Sequence, residues 1–102
     1  GMRKDSNQNY HEDRKFPKYS ISVVSIMTGV PTHTLRQYEE YGLISPARTE
    51  GQTRRYSDED VELIIEIARL AKKGINYAGI KEVLRLRKSW HTMREWPGEE
   101  EE

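Results

Sequence analysis

The segment PTHTLRQYEEYGL, residues 31–43, carries polar side chains at helical spacing and has few apolar residues to anchor it. Wound at about 3.6 residues per turn with Leu35 facing inward, it presents His33, Arg36 and Gln37 on its outer side. Guanidinium and amide groups are the ones that hydrogen-bond base edges in a DNA groove. An ordinary solvated helix face has a similar composition, so the neighbouring residues must decide between the two interpretations.

A cluster of arginines follows this helix directly. Residues 47–56, ARTEGQTRRY, predict a hairpin of two short extended runs around a glycine turn. Arg48 lies on one leg, and Arg54 and Arg55 lie on the other. Because each guanidinium can fork onto phosphate oxygens, the hairpin is predicted to bind an anion. The weaker alternative is a solvated hairpin whose arginines serve solubility.

The residues before Pro31 predict a first helix that packs against the second. Alternation over residues 19–23 suggests a short extended run, after which Ser22 is expected to cap a helix that ends at Gly29. Pro31 is expected in the first turn of the next helix, where its missing N–H costs nothing. The positions expected to face the core are Val23, Ile26 and Met27. Two helices joined by a glycine turn outline a helix-turn-helix.

Two further helices are predicted after the hairpin. Ser57 is expected to cap the third, acidic residues occupy its first turn, and Lys72, Lys73 and Gly74 end it. Its predicted apolar stripe is Val61, Ile64, Ile65, Ala68 and Ala71, widened by Leu63, Ile67 and Leu70. Asn76 is expected to cap the fourth helix from Tyr77, with Ile80, Val83 and Leu84 inward. The predicted fold is mainly α: a winged helix-turn-helix of about four helices, with a small β-hairpin wing and a short C-terminal helical extension.

Composition suggests that both ends of the chain lie outside the packed domain. Of 102 residues only 34% are hydrophobic, and the mean hydropathy is −0.94. We expect a flexible N-terminal arm over 1–18, a DNA-binding domain over 19–86, a helical extension over 87–96 and an acidic tail over 97–102. The net charge is zero, but without the four terminal glutamates 17 basic side chains face 13 acidic ones, a net charge of +4. The domain itself is therefore mildly basic.

Several classes of protein are disfavoured by what the sequence lacks. It has no cysteine, which removes disulfides, thiolate metal sites and cysteine nucleophiles. No apolar run approaches the roughly 20 residues of a membrane span, so a soluble, cytoplasmic protein without membrane association is expected. His11, His33 and His91 are scattered without metal-ligand spacing or a nearby carboxylate partner. We therefore expect no catalytic activity, no metal and no cofactor.

An ordered series of short motifs carries a family resemblance. It comprises Thr34-Leu35-Arg36-Gln37-Tyr38-Glu39, Gly42-Leu43, Pro46, Arg48, Gly51, Arg54, Tyr56-Ser57, Asp60-Val61, Gly74-Ile75-Asn76 and Ala78-Gly79-Ile80-Lys81. The series spans about residues 19 to 86 and resembles the DNA-binding domain of the MerR family of bacterial transcription regulators. Leu-Arg-Gln-Tyr followed by Arg-Arg-Tyr-Ser is most similar to the heat-shock repressor branch, and the glutamine-synthetase repressor branch is the rival.

The resemblance implies a sequence-specific DNA-binding regulator, a repressor if the branch holds. It places the second helix in the major groove, with Thr32, His33, Thr34, Arg36 and Gln37 as candidate contacts. Tyr38 would buttress the helix and reach phosphate through its hydroxyl, and the wing residues Arg48, Arg54 and Tyr56 would hold the DNA backbone. Arg55 is added to these candidates because it lies in the same arginine cluster. Many family members have tyrosine where Gln37 stands, so position 37 is open to a phosphate or an adenine contact. An excisionase-like architectural protein remains the alternative.

A regulator of this type is expected to act as a homodimer, because one short helix contacts too few base pairs to find a genomic site. Val83, Leu86, Trp90 and Met93 are spaced three, four and three residues apart, which suits a partner helix. We predict a dimer contact within residues 80–96; the alternative is that Trp90 folds back onto its own domain. A partner protein as effector, or no effector, both remain open.

Overall fold

The computed structural model describes residues 13–94, with side chains described as far as Lys88. In chain order the elements are α1 (Ile21–Thr28), α2 (Thr32–Glu40), β1 (Ala47–Arg48), β2 (Arg54–Arg55), α3 (Asp58–Lys72) and α4 (Tyr77–Arg94). Residues 13–15 are also helical. This order reproduces the predicted helix-turn-helix, wing and two further helices. The predictions for residues 1–12 and for the acidic tail lie outside the described residues.

Helix α1 begins earlier and faces the core differently than predicted. Ser20, and not Ser22, is its N-cap, with its hydroxyl accepting a hydrogen bond from the Val23 N–H. Val24 is fully buried, whereas Val23, Ile26 and Met27, the predicted core positions, are exposed. The inner face includes two hydroxyls that bond locally: Ser25 Oγ donates to the Val30 carbonyl and Thr28 Oγ1 to the Val24 carbonyl. The apolar pattern was therefore misleading, because satisfied hydroxyls occupy the buried side.

Helix α2 is delimited as its sequence suggests, apart from its first residue. Pro31 is the N-cap in an extended conformation and not a residue of the first turn. At the other end Gly42 has φ +80°, and the Leu43 N–H donates to the Tyr38 carbonyl, which closes the helix. Lys81 Nζ donates to the Tyr41 carbonyl at 3.2 Å, so α4 caps the same end. The glycine stop after α2 is confirmed.

The wing is a two-stranded antiparallel hairpin with Ala47 opposite Arg55 and Arg48 opposite Arg54. Its turn contains Gly51, as predicted, and the turn residue with positive φ is Gln52, at 70°. The hairpin is joined to the N-terminal segment by a bridge between Tyr19 and Tyr56. Within residues 13–94, this bridge is the only extended pairing of the run predicted over residues 19–23.

The core lies where α1 and α4 pack on the long helix α3, with α2 resting on α1. Ser57 and Asp60 form a capping box at the start of α3. Buried apolar residues recur along this helix as Val61, Ile64, Ile67 and Leu70. Ile65, predicted to lie on the core stripe, is 49% exposed, because the buried stripe runs through the Ile67 side of the helix. From α4, Ile80 is fully buried and Val83 and Leu84 pack partly against the core.

Residues 13–18 belong to the folded unit, although they were assigned to a flexible arm. The Arg14 guanidinium makes two hydrogen bonds to the Glu62 carboxylate, at 2.9 and 2.7 Å. Lys18 Nζ contacts Asp13 and Asp58 at 2.6 and 2.9 Å, and the Tyr19 hydroxyl donates to Asp58 at 2.7 Å. These charge contacts order a segment that has little apolar surface. The domain therefore extends further toward the N-terminus than predicted.

A carboxylate on α3 joins that helix to α4. Glu66 accepts hydrogen bonds from Arg69 on its own helix and from Arg87 on α4. The hydrogen bonds from Arg69, and after them the one from Arg87, lower the pKa of Glu66 to about 2. The Glu66–Arg87 contact helps to set the direction in which α4 leaves the domain. This direction matters because α4 carries the predicted dimer contact.

Acid should weaken this contact within a defined pH range. The folded-state pKa of Glu66 lies below its ordinary value of 4.5, so its stabilisation is complete above pH 4.5 and is lost as the pH falls toward about 2. Urea unfolding should therefore show a midpoint that declines over this range. Glu66→Gln should flatten the decline more than Glu82→Gln, whose partner Arg85 lies on the same helix. Equal slopes in both variants would contradict a structural role for the Glu66 contact.

None of the described helices is both long enough and apolar enough to cross a lipid bilayer.

Candidate nucleic-acid interface

The outer side of α2 presents the side chains predicted to contact DNA. His33, Arg36 and Gln37 are exposed, and Thr32 and Thr34 are half-buried in the first turn. Leu35 is fully buried and Tyr38 is 3% exposed, so these two residues anchor the helix. Because residues three and four apart are neighbours on a helix, the three exposed side chains form one continuous surface. No side chain of the described residues caps the helix N-terminus, where N–H groups of the first turn can interact with an anion.

Glu39 connects this helix to the wing. Its carboxylate accepts a hydrogen bond from Arg54 Nε at 2.6 Å and another from an Arg48 terminal nitrogen at 2.9 Å. Arg48 also donates to the Gln52 carbonyl within the hairpin at 3.0 Å. Since Glu39 lies three residues beyond Arg36, the wing is held beside Arg36 on the helix surface. The helix face and two wing arginines therefore lie side by side.

The strand register explains why two arginines reach one carboxylate. Arg48 and Arg54 are directly opposite each other, so their side chains project from the same face of the hairpin. Arg55 is the next residue on its strand, and strand alternation places it on the other face. The three guanidiniums predicted to act together are thus divided, two beside α2 and one apart.

The ion pair with Glu39 uses only part of the donor capacity of the arginines. Each guanidinium has five N–H donors, while the contact with Glu39 takes one nitrogen from each. Two positive charges against one negative charge also leave a net charge of +1. Burial opposes ionisation of Glu39, yet the hydrogen bonds from Arg54 and Arg48 outweigh it and hold the pKa of this carboxyl below its usual value. The wing is thus held in place before DNA binds, and Arg48 and Arg54 keep N–H donors for phosphate.

Tyr56, predicted to contact the DNA backbone, lies in the core instead. Its side chain is fully buried, and its hydroxyl has no hydrogen-bond partner among the described residues. Its backbone pairs with residue 19, so the tyrosine ends the wing and fills the space beneath it. Burial raises the pKa of this hydroxyl, which therefore stays protonated. A phosphate contact from Tyr56 would require the wing to leave its position.

Tyr56→Phe should leave DNA affinity unchanged and leave the free energy of unfolding unchanged or higher by about 1 kcal/mol. The reason is that the substitution removes a buried hydroxyl without a partner and keeps the ring that fills the core. Fluorescence titration with duplex DNA and urea unfolding measure the two quantities. Arg54→Ala is the positive control and should weaken binding to every duplex. A several-fold loss of affinity in a folded Tyr56→Phe protein would restore Tyr56 to the DNA contacts.

Tyr77, the first residue of α4, packs against two tyrosines at the C-terminal end of α2. The rings of Tyr38 and Tyr77 meet edge to face with centroids 5.7 Å apart, and those of Tyr41 and Tyr77 with centroids 4.7 Å apart. The predicted role of Tyr38 as a buttress agrees with its burial. Neither Glu39 nor Tyr77 was predicted as part of this surface, because each acts through a partner 9 to 40 residues away. The sequence did contain one indication of the role of Glu39: arginines on both strands of the hairpin follow an acidic residue on the preceding helix.

The predicted dimer contact is only partly within the described side chains. Val83 is half-buried against the core, and Leu86 is 52% exposed on α4. The helix continues unbroken to Arg94, across the boundary predicted at residue 86. The side chains of Trp90 and Met93 lie outside the described part of the chain. Leu86 is thus the predicted contact residue whose exposure suits a partner helix.

The helix pair, the basic hairpin after it and their shared contact at Glu39 define a winged helix-turn-helix protein of the DNA-binding class. Residues 19–86 match the family described as MerR HTH family regulatory protein. The chain belongs to this family, as the sequence motifs predicted.

Individual relatives and solved structures agree with this assignment. The chain is 48% identical over 71 residues to the heat shock protein HspR of Streptomyces coelicolor, covering 69% of this chain and 47% of that protein. It is 40% identical over 79 residues to the transcriptional regulator GlnR of Bacillus cereus, covering 76% of this chain and 61% of GlnR. The chain therefore spans about half to three fifths of these relatives. Both predicted branches are represented.

Solved structures show the same fold. The MerR family regulator HiNmlR, which lacks the sensor domain and is bound to promoter DNA, matches with a TM-score of 0.64 and 26% identity over 68% of this chain and 53% of that chain. The N-terminal part of MtaN, a multidrug transporter activator of Bacillus subtilis, matches with a TM-score of 0.62 and 35% identity over 66% of this chain and 64% of that chain. Both of these solved structures belong to regulators by their names.

Proposed function

We propose that this protein is a sequence-specific regulator of transcription that binds double-stranded promoter DNA, with α2 in the major groove and the wing on the phosphate backbone. The observation that carries the proposal is the Glu39 contact, which holds two wing arginines beside the exposed face of α2. A groove-binding helix needs a phosphate contact nearby to fix its position on the duplex. The promoter DNA bound by HiNmlR, a regulator of the same family and fold, supports the same class of ligand.

The two parts of the surface have different roles in this proposal. His33, Arg36 and Gln37 select the base sequence, because they are exposed and carry groups that match base edges. Thr32 and Thr34, in the first turn of α2, contact phosphate or sugar beside the groove, and Tyr38 supports the helix from within. Arg48 and Arg54 hold the backbone on one side of the wing, and Arg55 reaches it from the other. Tyr56 takes no part.

The biological setting follows from the same proposal. A regulator of promoters works where the bacterial chromosome lies, so the protein acts in the cytoplasm. Similarity to HspR favours a repressor of the heat-shock branch. A partner protein acting as effector belongs to this proposal as well, on the ground of the similarity to HspR alone.

In this proposal the protein acts as a homodimer, formed through residues 80–96 in α4 and the segment after it. Leu86 supplies exposed apolar surface there, and two copies would place two α2 helices on one face of the duplex. Sedimentation velocity should show a concentration-dependent dimer in the micromolar range, weakened by Leu86→Glu. Ile26→Glu is the matched control, since Ile26 is an exposed isoleucine on α1. Only monomer at high micromolar concentration would contradict the dimer.

Selection of bound duplexes from a random DNA pool tests the proposed function. The expected result is a pair of inverted half-sites about one helical turn apart, because a two-fold dimer binds a two-fold site. A row of direct repeats would point to an architectural protein instead. Failure to enrich any sequence, with binding that depends on salt alone, would contradict a sequence-specific regulator.

A further inference from the structure

Gln37 is the exposed α2 residue whose side chain has a described partner on α4. The hydroxyl of Tyr77 donates a hydrogen bond to Gln37 Oε1 at 3.3 Å, across 40 residues of sequence. Tyr77 is the first residue of α4, the helix that carries the predicted dimer contact. The face of α2 is thus flanked on one side by the wing and on the other by this tyrosine.

The ring of Tyr77 is held in place from two directions. It meets the edge or face of Tyr38 and of Tyr41, with interplanar angles of 85° and 75°. The start of α4 is fixed as well, because the Gly79 N–H donates to Asn76 Oδ1 at 2.8 Å. A Cβ at position 79 would come within 2.8 Å of the Ile75 side chain, so this turn tolerates only glycine without adjustment. The Tyr77 hydroxyl is therefore a fixed donor aimed at Gln37.

A fixed donor on one side of an amide determines what the other side offers to DNA. With Oε1 turned toward Tyr77, the amide presents its NH₂ group, a pure donor, away from the protein. Guanine shows two acceptors in the major groove, N7 and O6, whereas adenine shows an acceptor and a donor. The two-point adenine contact open to a free glutamine needs Oε1 to face the base. Held by Tyr77, Gln37 matches guanine.

We propose that Tyr77 is a positioning residue for DNA recognition: it orients the Gln37 amide so that this residue selects guanine over adenine at one position of each half-site. This inference rests on the proposed function, and it adds that the base contacted by Gln37 is guanine. It also links base selection to the first turn of α4. A change in the angle at which α4 leaves the domain would therefore alter the preference for this base.

Base-preference profiles of four proteins test the proposal. Wild type, Gln37→Ala, Tyr77→Phe and the double variant are each used to select duplexes from one random pool. Gln37→Ala identifies the position that Gln37 contacts, as the one whose preference disappears. At that position the wild type should favour guanine over adenine by about tenfold. In Tyr77→Phe the two bases should be selected about equally often. In the Gln37→Ala background, Tyr77→Phe should change nothing further.

Tyr41→Phe is the matched control, because it removes a hydroxyl from a ring that touches Tyr77 but that makes no described bond to Gln37. It should keep the wild-type preference, and thermal unfolding should show all five proteins folded. An unchanged guanine preference in Tyr77→Phe would overturn this inference alone. So would equal effects of Tyr77→Phe with and without Gln37. Absence of any selected sequence with the wild type would instead overturn the proposed function.

Discussion

Leu35→Ala is expected to lower the free energy of unfolding by about 2–5 kcal/mol, the range for a large buried aliphatic side chain replaced by alanine. Leu35 is fully buried, with 0% of its surface accessible to solvent. Leu35 and Tyr38 are the buried residues of α2, so the substitution truncates one of its two anchors. Urea unfolding at neutral pH measures the loss. DNA binding should fall further than the fraction of unfolded protein explains, because α2 no longer holds its position.

Ile26→Ala provides the control for Leu35→Ala. Ile26 lies on α1 and is 82% exposed, so removing its side chain should change the free energy of unfolding by less than about 0.5 kcal/mol. Similar losses for the two variants would mean that α2 is not anchored through Leu35. The role assigned to its outer face would then lack support.

Glu39→Gln is expected to tighten binding to random DNA and to lower the discrimination between operator and random DNA. Removing the carboxylate takes a negative charge from beside two phosphate-binding arginines, so binding to random DNA should tighten. The slope of log affinity against log salt should steepen by about 0.9 if one further phosphate is neutralised. The wing also loses the contact that holds it beside α2, so discrimination between operator and random DNA should fall by about 1–3 kcal/mol. Fluorescence anisotropy titrations at several salt concentrations measure both effects.

Glu40→Gln is a matched control for this experiment. It makes the same change of charge one residue further along α2, at an exposed side chain. It should alter the affinity for operator and random DNA by equal factors and leave discrimination intact. If Glu39→Gln behaves like Glu40→Gln, the carboxylate at position 39 contributes only charge and does not position the wing.

The local features of the fold were predictable because each depends on a few neighbouring residues. Gly29, Gly42 and Gly74 adopt positive φ at the helix ends, as the sequence predicted. The inner and outer sides of α2 also follow from its periodicity. On α1 the same method failed, because Ser25 and Thr28 occupy the buried side with their hydroxyls bonded to backbone carbonyls. Periodicity counts apolar residues and cannot detect a hydroxyl that is satisfied locally.

The site was predictable in its residue types and less so in its geometry. The exposed residues of α2 and the arginines of the wing were identified from type and spacing. The division of Arg55 from Arg48 and Arg54 depends on strand register, which a hairpin pattern alone leaves open. Tyr56 was predicted as a contact residue because the family resemblance places a backbone contact at that wing position, but its side chain is buried in the core. The contacts of Glu39 and Tyr77 join separate elements and become visible only when the chain is folded.

The central claim is that the outer side of α2 and the wing form one surface for double-stranded DNA. Nuclear magnetic resonance titration of the labelled protein with a selected duplex tests it most directly. The backbone amide signals of residues 32–37 and 48–55 should shift together with a common midpoint. The amide signals of the exposed face of α1 around Ile26 should not shift. Shifts confined to either α2 or the wing, or centred on α1, would contradict the claim.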